Sequence, residues 1–579
     1  MTRRFHRLLP FLLPICLLLA AAPAPARPTT SVPVWVYLGD KPDGRGGRLP
    51  WSRPVQGQPV AAYSLAVDAD YVARVAQVSG PVRTVSRWLN AVSVEADPPT
   101  QEALRQLPFV IGVEPVGRRA AAPRIVPLPA PAPPPAGPKG KAGALSPVDY
   151  GVAAPQLQQI RVDGLHQLGY EGQGIRIAVL DDGFHTRHRC FGQLRVVATR
   201  DFINNDDDVT DQTQQPVTGD ETRTDQNLHG AQVLSLLAGD DPGRFYGVAP
   251  RAEYLLAKTE ISATEMPSEE DRWVAGLEWA DSLGARVVSS SLGYNLWDDG
   301  TGYTLAQMDG ATAVTTVAAE IAVARGLVVV VAAGNEGGNS WGHVTAPADG
   351  PGVISVGSVD IPSAGLRQPL LAYNSSRGPT ADGRIKPDVV APGQGVVVAD
   401  IRGGDYQRGS GTSFATPLAA GACALLLEAH PDWTPRQVQA ALQQTALDLG
   451  PAGPDTAYGW GQVDALAASG LQRPVPEETW AGPPYPNPVQ GGVVYFPLGL
   501  VNDTTVDLRV YEVSGALVYH GHWSLGAGVY AGPEQAPQWD LAAQEASRGQ
   551  RLANGVLLYC LTAGSLEQRG RLALVRSLH

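Results

Sequence analysis

The run Gly326-Leu327-Val328-Val329-Val330-Val331 has no polar residue to turn toward water, so it reads as a β-strand buried on both faces. Ile175-Arg176-Ile177-Ala178-Val179-Leu180 and Ala285-Arg286-Val287-Val288-Ser289-Ser290 are further short runs of strand type. Each stops abruptly. The first leads into Ala332-Ala333-Gly334-Asn335-Glu336-Gly337, the second into Asp181-Asp182-Gly183 and the third into Ser291-Leu292-Gly293. In open α/β sheets, ligands gather beyond the carboxyl ends of the strands. Asp181 and Asn335 both fall there.

Two helical segments complete the pattern. Asn227-Leu228-His229-Gly230-Ala231-Gln232-Val233-Leu234 opens an apolar helix that stops at Gly239, with His229 at its start. Phe414 to His430 reads as one helix rich in Ala and Leu, preceded by Gly409-Ser410-Gly411-Thr412-Ser413. Pro417 is expected in its first turn, where a missing N–H breaks no intrahelical bond. Ser413 then sits where backbone N–H groups and the positive end of the helix dipole stabilise a developing oxyanion. Taken singly, a helix-capping serine, a structural histidine and an Asn-Glu-Gly turn are ordinary features. Together they supply what a weak serine nucleophile needs: a base, a carboxylate to hold the base's tautomer, and an amide donor.

The chain order of these groups discriminates among serine hydrolases. Here it runs Asp181, His229, Asn335, Ser413, whereas α/β-hydrolases run Ser, Asp, His with Gly-x-Ser-x-Gly, and Ala415 stands where the second glycine would be. Chymotrypsin-like enzymes run His, Asp, Ser. Val179-Leu180-Asp181-Asp182-Gly183, His229-Gly230, Ala333-Gly334-Asn335 and Gly411-Thr412-Ser413-Phe414-Ala415-Thr416-Pro417 resemble the four signatures of the subtilisin-like serine proteases. So do Tyr246-Gly247-Val248-Ala249-Pro250, Asn374-Ser375-Ser376-Arg377-Gly378-Pro379, Lys386-Pro387-Asp388-Val389-Val390-Ala391-Pro392-Gly393 and Tyr458-Gly459-Trp460-Gly461, which together span nearly all of residues 149 to 470. Two positions depart from the family pattern. Ala231 stands where Thr is usual after His-Gly, and Asp182 where Ser or Thr usually follows the catalytic Asp. Asp182 would add negative potential beside the histidine and raise its pKa.

The resemblance implies an α/β catalytic domain with a doubly wound, mostly parallel sheet, and a serine endopeptidase that acts on polypeptides. Residue by residue, it implies that Ser413 attacks the scissile carbonyl, His229 serves as base and then acid, and Asp181 orients it. Asn335 and the Ser413 N–H would form the oxyanion hole. Ser291, Leu292 and Gly293 would pair with the substrate backbone as an added strand, with selecting pockets near Leu292, Ala333 and Gly334. Tyr294 is placed either to narrow a pocket or as a surface aromatic. No cofactor is required and a monomer is expected. Asn204-Asn205-Asp206-Asp207-Asp208, with Asp211, Asp220, Glu221 and Asp225 nearby, offers oxygen ligands for the structural calcium that many relatives bind. It lacks EF-hand spacing and reads better as a solvated acidic loop. Two rival functions stand: a catalytically silent surface binding protein on this scaffold, which Asp182 and Ala231 keep open, and a lipase or esterase, which the chain order disfavours.

At 579 residues the chain exceeds one domain, and its net charge of -12 argues against nucleic acid. Arg3, Arg4 and Arg7 before an apolar stretch to Ala22, then small residues, give a signal peptide over 1–26. No later stretch has the apolar length of a membrane span, so a soluble protein, secreted or at the cell surface after passing the periplasm, is expected. Cys190, Cys423 and Cys560 are an odd number after the signal, which gives no disulfide framework. Residues 31–119 faintly resemble an inhibitory prodomain, with strands at Val34–Leu38, Val92–Val94 and Val110–Pro115 and a helix at Thr100–Leu107. Residues 120–148 are a Pro/Ala-rich linker. The catalytic domain is expected over 149–470, a second linker over 471–484 and a β-sandwich over 485–579. Tyr485-Pro486-Asn487-Pro488, Trp539-Asp540, Asn554-Gly555-Val556 and a basic last strand resemble a type IX secretion sorting domain, which would make the secretion machinery a partner.

Overall fold

The computed structural model describes residues 31–52, 59–117, 148–211, 226–362, 368–471, 478–489, 492–502, 504–525, 528–530, 536–549 and 551–575. The signal peptide, most of the Pro/Ala-rich linker, and Asp220, Glu221 and Asp225 lie outside these residues.

Near the amino end, β1 (Val32–Leu38), β2 (Val82–Ser86), β3 (Ala91–Ala96) and β4 (Val110–Pro115) form an antiparallel sheet in the order β2-β3-β1-β4. Alternation along β1 sends Val34, Val36 and Leu38 to a core shared with α1 (Ala69–Ser79) and α2 (Pro98–Arg105). Trp35 and Tyr37 point the other way, into the larger domain. The side chains of Asp68 and Asp97 cap the two helices.

The larger domain is built on β5 (Arg176–Asp181), β6 (Val196–Asp201), β7 (Glu253–Lys258), β8 (Val287–Ser290), β9 (Val328–Ala332), β10 (Ile354–Asp360), β11 (Val389–Ala399) and β12 (Tyr406–Ser410). They lie in the order β6-β7-β5-β8-β9-β10-β11-β12, parallel throughout except for the β11–β12 pair. Ile177, Val179, Val328 and Val330 face one layer, with α3 (Leu228–Ala238) and α6 (Thr412–Ala429). Ala178, Leu180, Val329 and Val331 face the other, with α4 (Ser268–Ser282) and α5 (Val314–Ala324). The valine run thus serves two cores at once, as its lack of polar residues required. Among the described residues one helix, α6, is long and apolar enough to cross a membrane, and 89 % of it is buried in this core. It starts at Thr412, two residues earlier than expected, so Pro417 falls inside the helix rather than in its first turn.

The amino-terminal unit docks on the α4 layer with charged groups buried at the contact. Asp271, whose side chain is fully buried, accepts from Ser93 Oγ and from Arg83 Nε at 3.0 Å. Glu278 accepts from Ser86 Oγ and from the backbone N–H groups of Arg87 at 3.1 Å and Trp88 at 3.2 Å. Arg87 also reaches Asp281 at 3.2 Å. Apolar contact surrounds these bonds, with Trp35, Trp88, Trp273 and Leu277 in one core.

Past residue 480, β13 (Thr504–Glu512), β14 (Leu517–Leu525), β15 (Gly555–Ala563) and β16 (Leu566–Leu574) form an antiparallel sheet in the order β14-β13-β15-β16. Its inward residues, among them Val506, Leu508, Val510 and Leu561, share a core with Leu498, Leu500 and Trp539 on shorter strands. Trp480 pairs with Gly499, so the unit takes in part of the 471–484 stretch expected to be a linker. Gln158 of the larger domain donates to the Tyr485 hydroxyl at 2.8 Å.

Replacing Arg83 by Ala leaves the buried Asp271 with Ser93 alone. Because Arg83 itself keeps 23 % of its side chain in water, the expected loss is at the low end for a broken buried pair, about 3 kcal/mol. Amide exchange in β2 and β3 should accelerate while β9 and β10 stay protected. Unchanged exchange in β2 and β3 would show that the charge pair does not hold the interface.

Candidate active site

Asp181 ends β5 and is fully buried. Its Oδ1 lies 2.7 Å from His229 Nδ1 and accepts the Asp182 N–H at 2.9 Å. A carboxylate only accepts, so Nδ1 carries the hydrogen and Nε2 keeps its lone pair when the ring is neutral. His229 is the second residue of α3, and Gly230 follows because that turn presses against the β5 end: a Cβ at 230 would lie 2.2 Å from the Gly183 carbonyl oxygen. Burial works against a charged imidazole, but the Asp181 charge and hydrogen bond, with Asp182 adding to them, outweigh it and raise His229 to about 9. The ring is 33 % exposed, which leaves it open to the cleft while its carboxylate partner is not.

Ser413 is the second residue of α6 and is buried. Its Oγ donates to the Ser291 carbonyl at 3.3 Å rather than to His229. Pro417 has no N–H for the carbonyl of Ser413 four residues back. Ser291 Oγ fills that gap, donating to the Ser413 carbonyl at 2.7 Å. The end of β8 and the start of α6 are therefore tied by two reciprocal bonds. Across the cleft, Asn335 Oδ1 accepts from Thr412 N at 2.9 Å, Thr412 Oγ1 at 3.1 Å and Asn374 Nδ2 at 3.3 Å. With the carbonyl side of the amide so occupied, Nδ2 is the end left to donate.

Beyond Ser290 the ladder with β5 and β9 stops, and Ser291, Leu292 and Gly293 run on along the cleft. Thr345 joins them to the other expected binding segment: its N–H donates to the Ala333 carbonyl at 3.2 Å, and its side chain fills the space where a Cβ on Gly293 or Gly334 would go. Gly334 also has φ +107°, a backbone conformation that side chains disfavour. Ser291's hydroxyl is spent on the Ser413 carbonyl of α6. Tyr294 is neither a surface aromatic nor a free pocket wall. It is 1 % exposed and donates to Glu260, whose carboxyl burial pushes up to about 8 against that hydrogen bond.

The acidic loop satisfies itself. Asp201 accepts from the N–H groups of Ile203 and Asn204 and pairs with the buried Lys258 at 3.3 Å, Asp207 pairs with Arg200, and Asp208 accepts from Thr210. Among the described residues no group of three or more His, Cys, Asp or Glu side chains is placed to hold a metal ion. Thr345, Asn374 and Ser262, from distant segments, and Gln226, three residues before His229, also hold the site, and, Asn374 apart, their sequence surroundings do not announce it. Only Asn374, in the family-like Asn374-Ser375-Ser376 segment, carried any signal.

Comparison with known proteins places this geometry. Residues 172–461 match the subtilase family, Peptidase S8, and residues 52–125 match a Peptidase S8 propeptide domain of Bacteroidota. Subtilisin E of Bacillus subtilis (strain 168) is 33 % identical over 325 residues, covering 55 % of this chain and 72 % of that protein. Subtilisin of Bacillus pumilus is 34 % identical, covering 56 % and 98 %. The crystal structure of fervidolysin from Fervidobacterium pennivorans, a keratinolytic enzyme related to subtilisin, superposes with a TM-score of 0.52 at 22 % identity, covering 94 % of this chain and 76 % of that one, a likeness of fold. The chain belongs to the subtilase family, carries a propeptide domain of that family, and is a subtilisin-like serine endopeptidase.

Proposed function

We propose that Asp181, His229 and Ser413 are the catalytic triad of a secreted endopeptidase, with Asn335 Nδ2 and the Ser413 N–H as oxyanion donors. The observation that carries this reading is the 2.7 Å bond between Asp181 and His229 Nδ1, which leaves Nε2 as the base. The Ser413 hydroxyl leaves the Ser291 carbonyl and gives its proton to Nε2 as Oγ attacks the scissile carbonyl carbon. The carbonyl electron pair moves to oxygen, held by the two donors. His229 then returns the proton to the leaving amine, and water repeats the sequence on the acyl-enzyme. Losing a donor of the Asn335 kind costs on the order of 3 kcal/mol of transition-state stabilisation. A peptide would lie along Ser291, Leu292 and Gly293, with Ala333 and Gly334 opposite.

The test is a fluorophosphonate label with the parent chain and Ser413→Ala side by side, followed by digestion of a denatured proteome. Label and cleavage are expected in the parent alone, and the cut sites then report the pocket preference. A parent that takes up no label would make the chain a silent binding scaffold.

Because His229 is raised above its ordinary 6.5, the unprotonated base is scarce at neutral pH. The acid limb of kcat/KM, which reports the free enzyme's base, is expected well above pH 6.5, near 9, with activity rising into the alkaline range. A limb at or below 6.5 would mean that Asp181 and Asp182 do not lift the imidazole.

The sequence features Tyr485-Pro486-Asn487-Pro488 and the basic β16, with Arg569 and Arg571, support the carboxyl-terminal unit as a β-sandwich sorting domain that carries the enzyme through the periplasm to the outside. Removing residues 478 to 579 should leave active protease in the periplasm of the producing cell. Unchanged export would refute this role.

A further inference from the structure

We propose that Asp182 is a positioning residue for the triad: its carboxyl holds the first turn of α3, and with it the imidazole of His229, in register with Ser413. This rests on the triad reading and deepens it. Asp182 is 5 % exposed. Its Oδ1 accepts the Gly230 N–H at 2.8 Å, and its Oδ2 meets Ser262 Oγ at 2.8 Å. The peptide unit it grips is the one joining His229 to Gly230, so the bond fixes the backbone from which the imidazole projects. That N–H is one of the first-turn donors that α3 cannot satisfy internally, at the end of the helix where an acceptor is favoured.

Gln226 closes the arrangement into a ring. Its Nε2 donates to the Asp182 carbonyl at 2.9 Å and also to the Glu260 carbonyl, while its Oε1 accepts the Ser262 N–H at 3.1 Å. The end of β5, the lead-in to α3, its first turn and the segment after β7 thus converge on one residue, Asp182, through its carbonyl and its carboxyl. A hydroxyl at 182 has a single oxygen for the two contacts that the carboxyl divides between two. Asp181 on β5 and His229 on α3 are the charged groups acting on Asp182, and the segment after β7 presents the Ser262 hydroxyl. Burial and then the Asp181 charge push the Asp182 carboxyl well above the usual carboxylate range. Protonation keeps the ring intact, because a hydroxyl accepts as readily as it donates.

The test compares Asp182→Ala, Asp182→Asn and Ser413→Ala in the full chain, with active sites counted by fluorophosphonate and kcat and KM measured on an amide substrate chosen from the proteome digest. Asp182→Ala is expected to lower kcat by about tenfold to a hundredfold with KM little changed, the scale of a displaced catalytic group. Asp182→Asn keeps an acceptor for Gly230 and gains a donor for Ser262, so kcat should recover most of the way. Its acid limb should move to lower pH, because the carboxylate's share of the lift on His229 is gone. An Asp182→Ala enzyme with unchanged kcat overturns the inference, as does an Asp182→Asn enzyme that is no better than Asp182→Ala. Should Asp182→Ala fail to fold, Ser262→Ala decides. Ser262→Ala should lower kcat less than tenfold with KM unchanged, and an unchanged kcat in that variant overturns the inference. An active Ser413→Ala would remove the triad reading itself, whereas an inactive Ser413→Ala beside an unaffected Asp182→Ala removes only the role given to Asp182.

Discussion

A parallel sheet covered on both faces leaves one region where polar side chains can meet without being buried unpaired, and that is beyond the carboxyl ends of its strands. β5, β8 and β9 are consecutive neighbours, so Asp181 and Ser291 come level at a strand spacing of about 4.8 Å, and Asn335 follows on the segment that leaves β9 at Ala332. The two remaining groups arrive on helices of a single layer. α3 and α6 pack together against one face of the sheet and present His229 and Ser413 at their amino ends. The opposite layer, α4 and α5, takes no part in the chemistry and is free to receive the propeptide domain. The candidate site and the propeptide contact thus use helices on opposite faces of one sheet.

The nucleophile's helix depends on a defect in its own ladder. Pro417 deprives the Ser413 carbonyl of its helical donor, and a buried carbonyl without a donor costs about 1–3 kcal/mol. Ser291 supplies the bond from the strand that would carry substrate. The compensation ties the segment after β8 to Ser413, so a shift in one is felt by the other. A proline in the first turn would have left that carbonyl with no reason to seek an outside partner.

The strands and the edge they form were legible because unbroken apolar runs admit one reading, and Asp181, His229, Asn335 and Ser413 were legible because their order along the chain is diagnostic. α6 starts two residues earlier than its composition suggests, since Gly411-Thr412-Ser413 has the composition of a loop and the Thr412 N–H is satisfied by Asn335, far away along the chain. The burial of Tyr294 is not legible locally, because the carboxyl that accepts its hydroxyl, Glu260, lies 34 residues away. Asp182 was read as a source of potential alone. Its partners stand 48 and 80 residues off, and nothing in the local sequence announces a bond to a backbone N–H that exists only once α3 has docked.

The acidic face of α4 follows the same logic and adds a thermodynamic point. Asp271 and Glu278 are buried where the propeptide domain meets α4, which brings Arg83, Arg87, Ser86, Ser93 and two backbone N–H groups as partners. Were that domain to leave, water would replace those partners, so the carboxylates would be satisfied in both states and would oppose release only weakly. Trp35, Trp88 and Trp273 have no such alternative, since water does not compensate apolar surface. Holding the propeptide in place is therefore chiefly the work of the buried aromatics, and the charge pairs set its orientation on the helix.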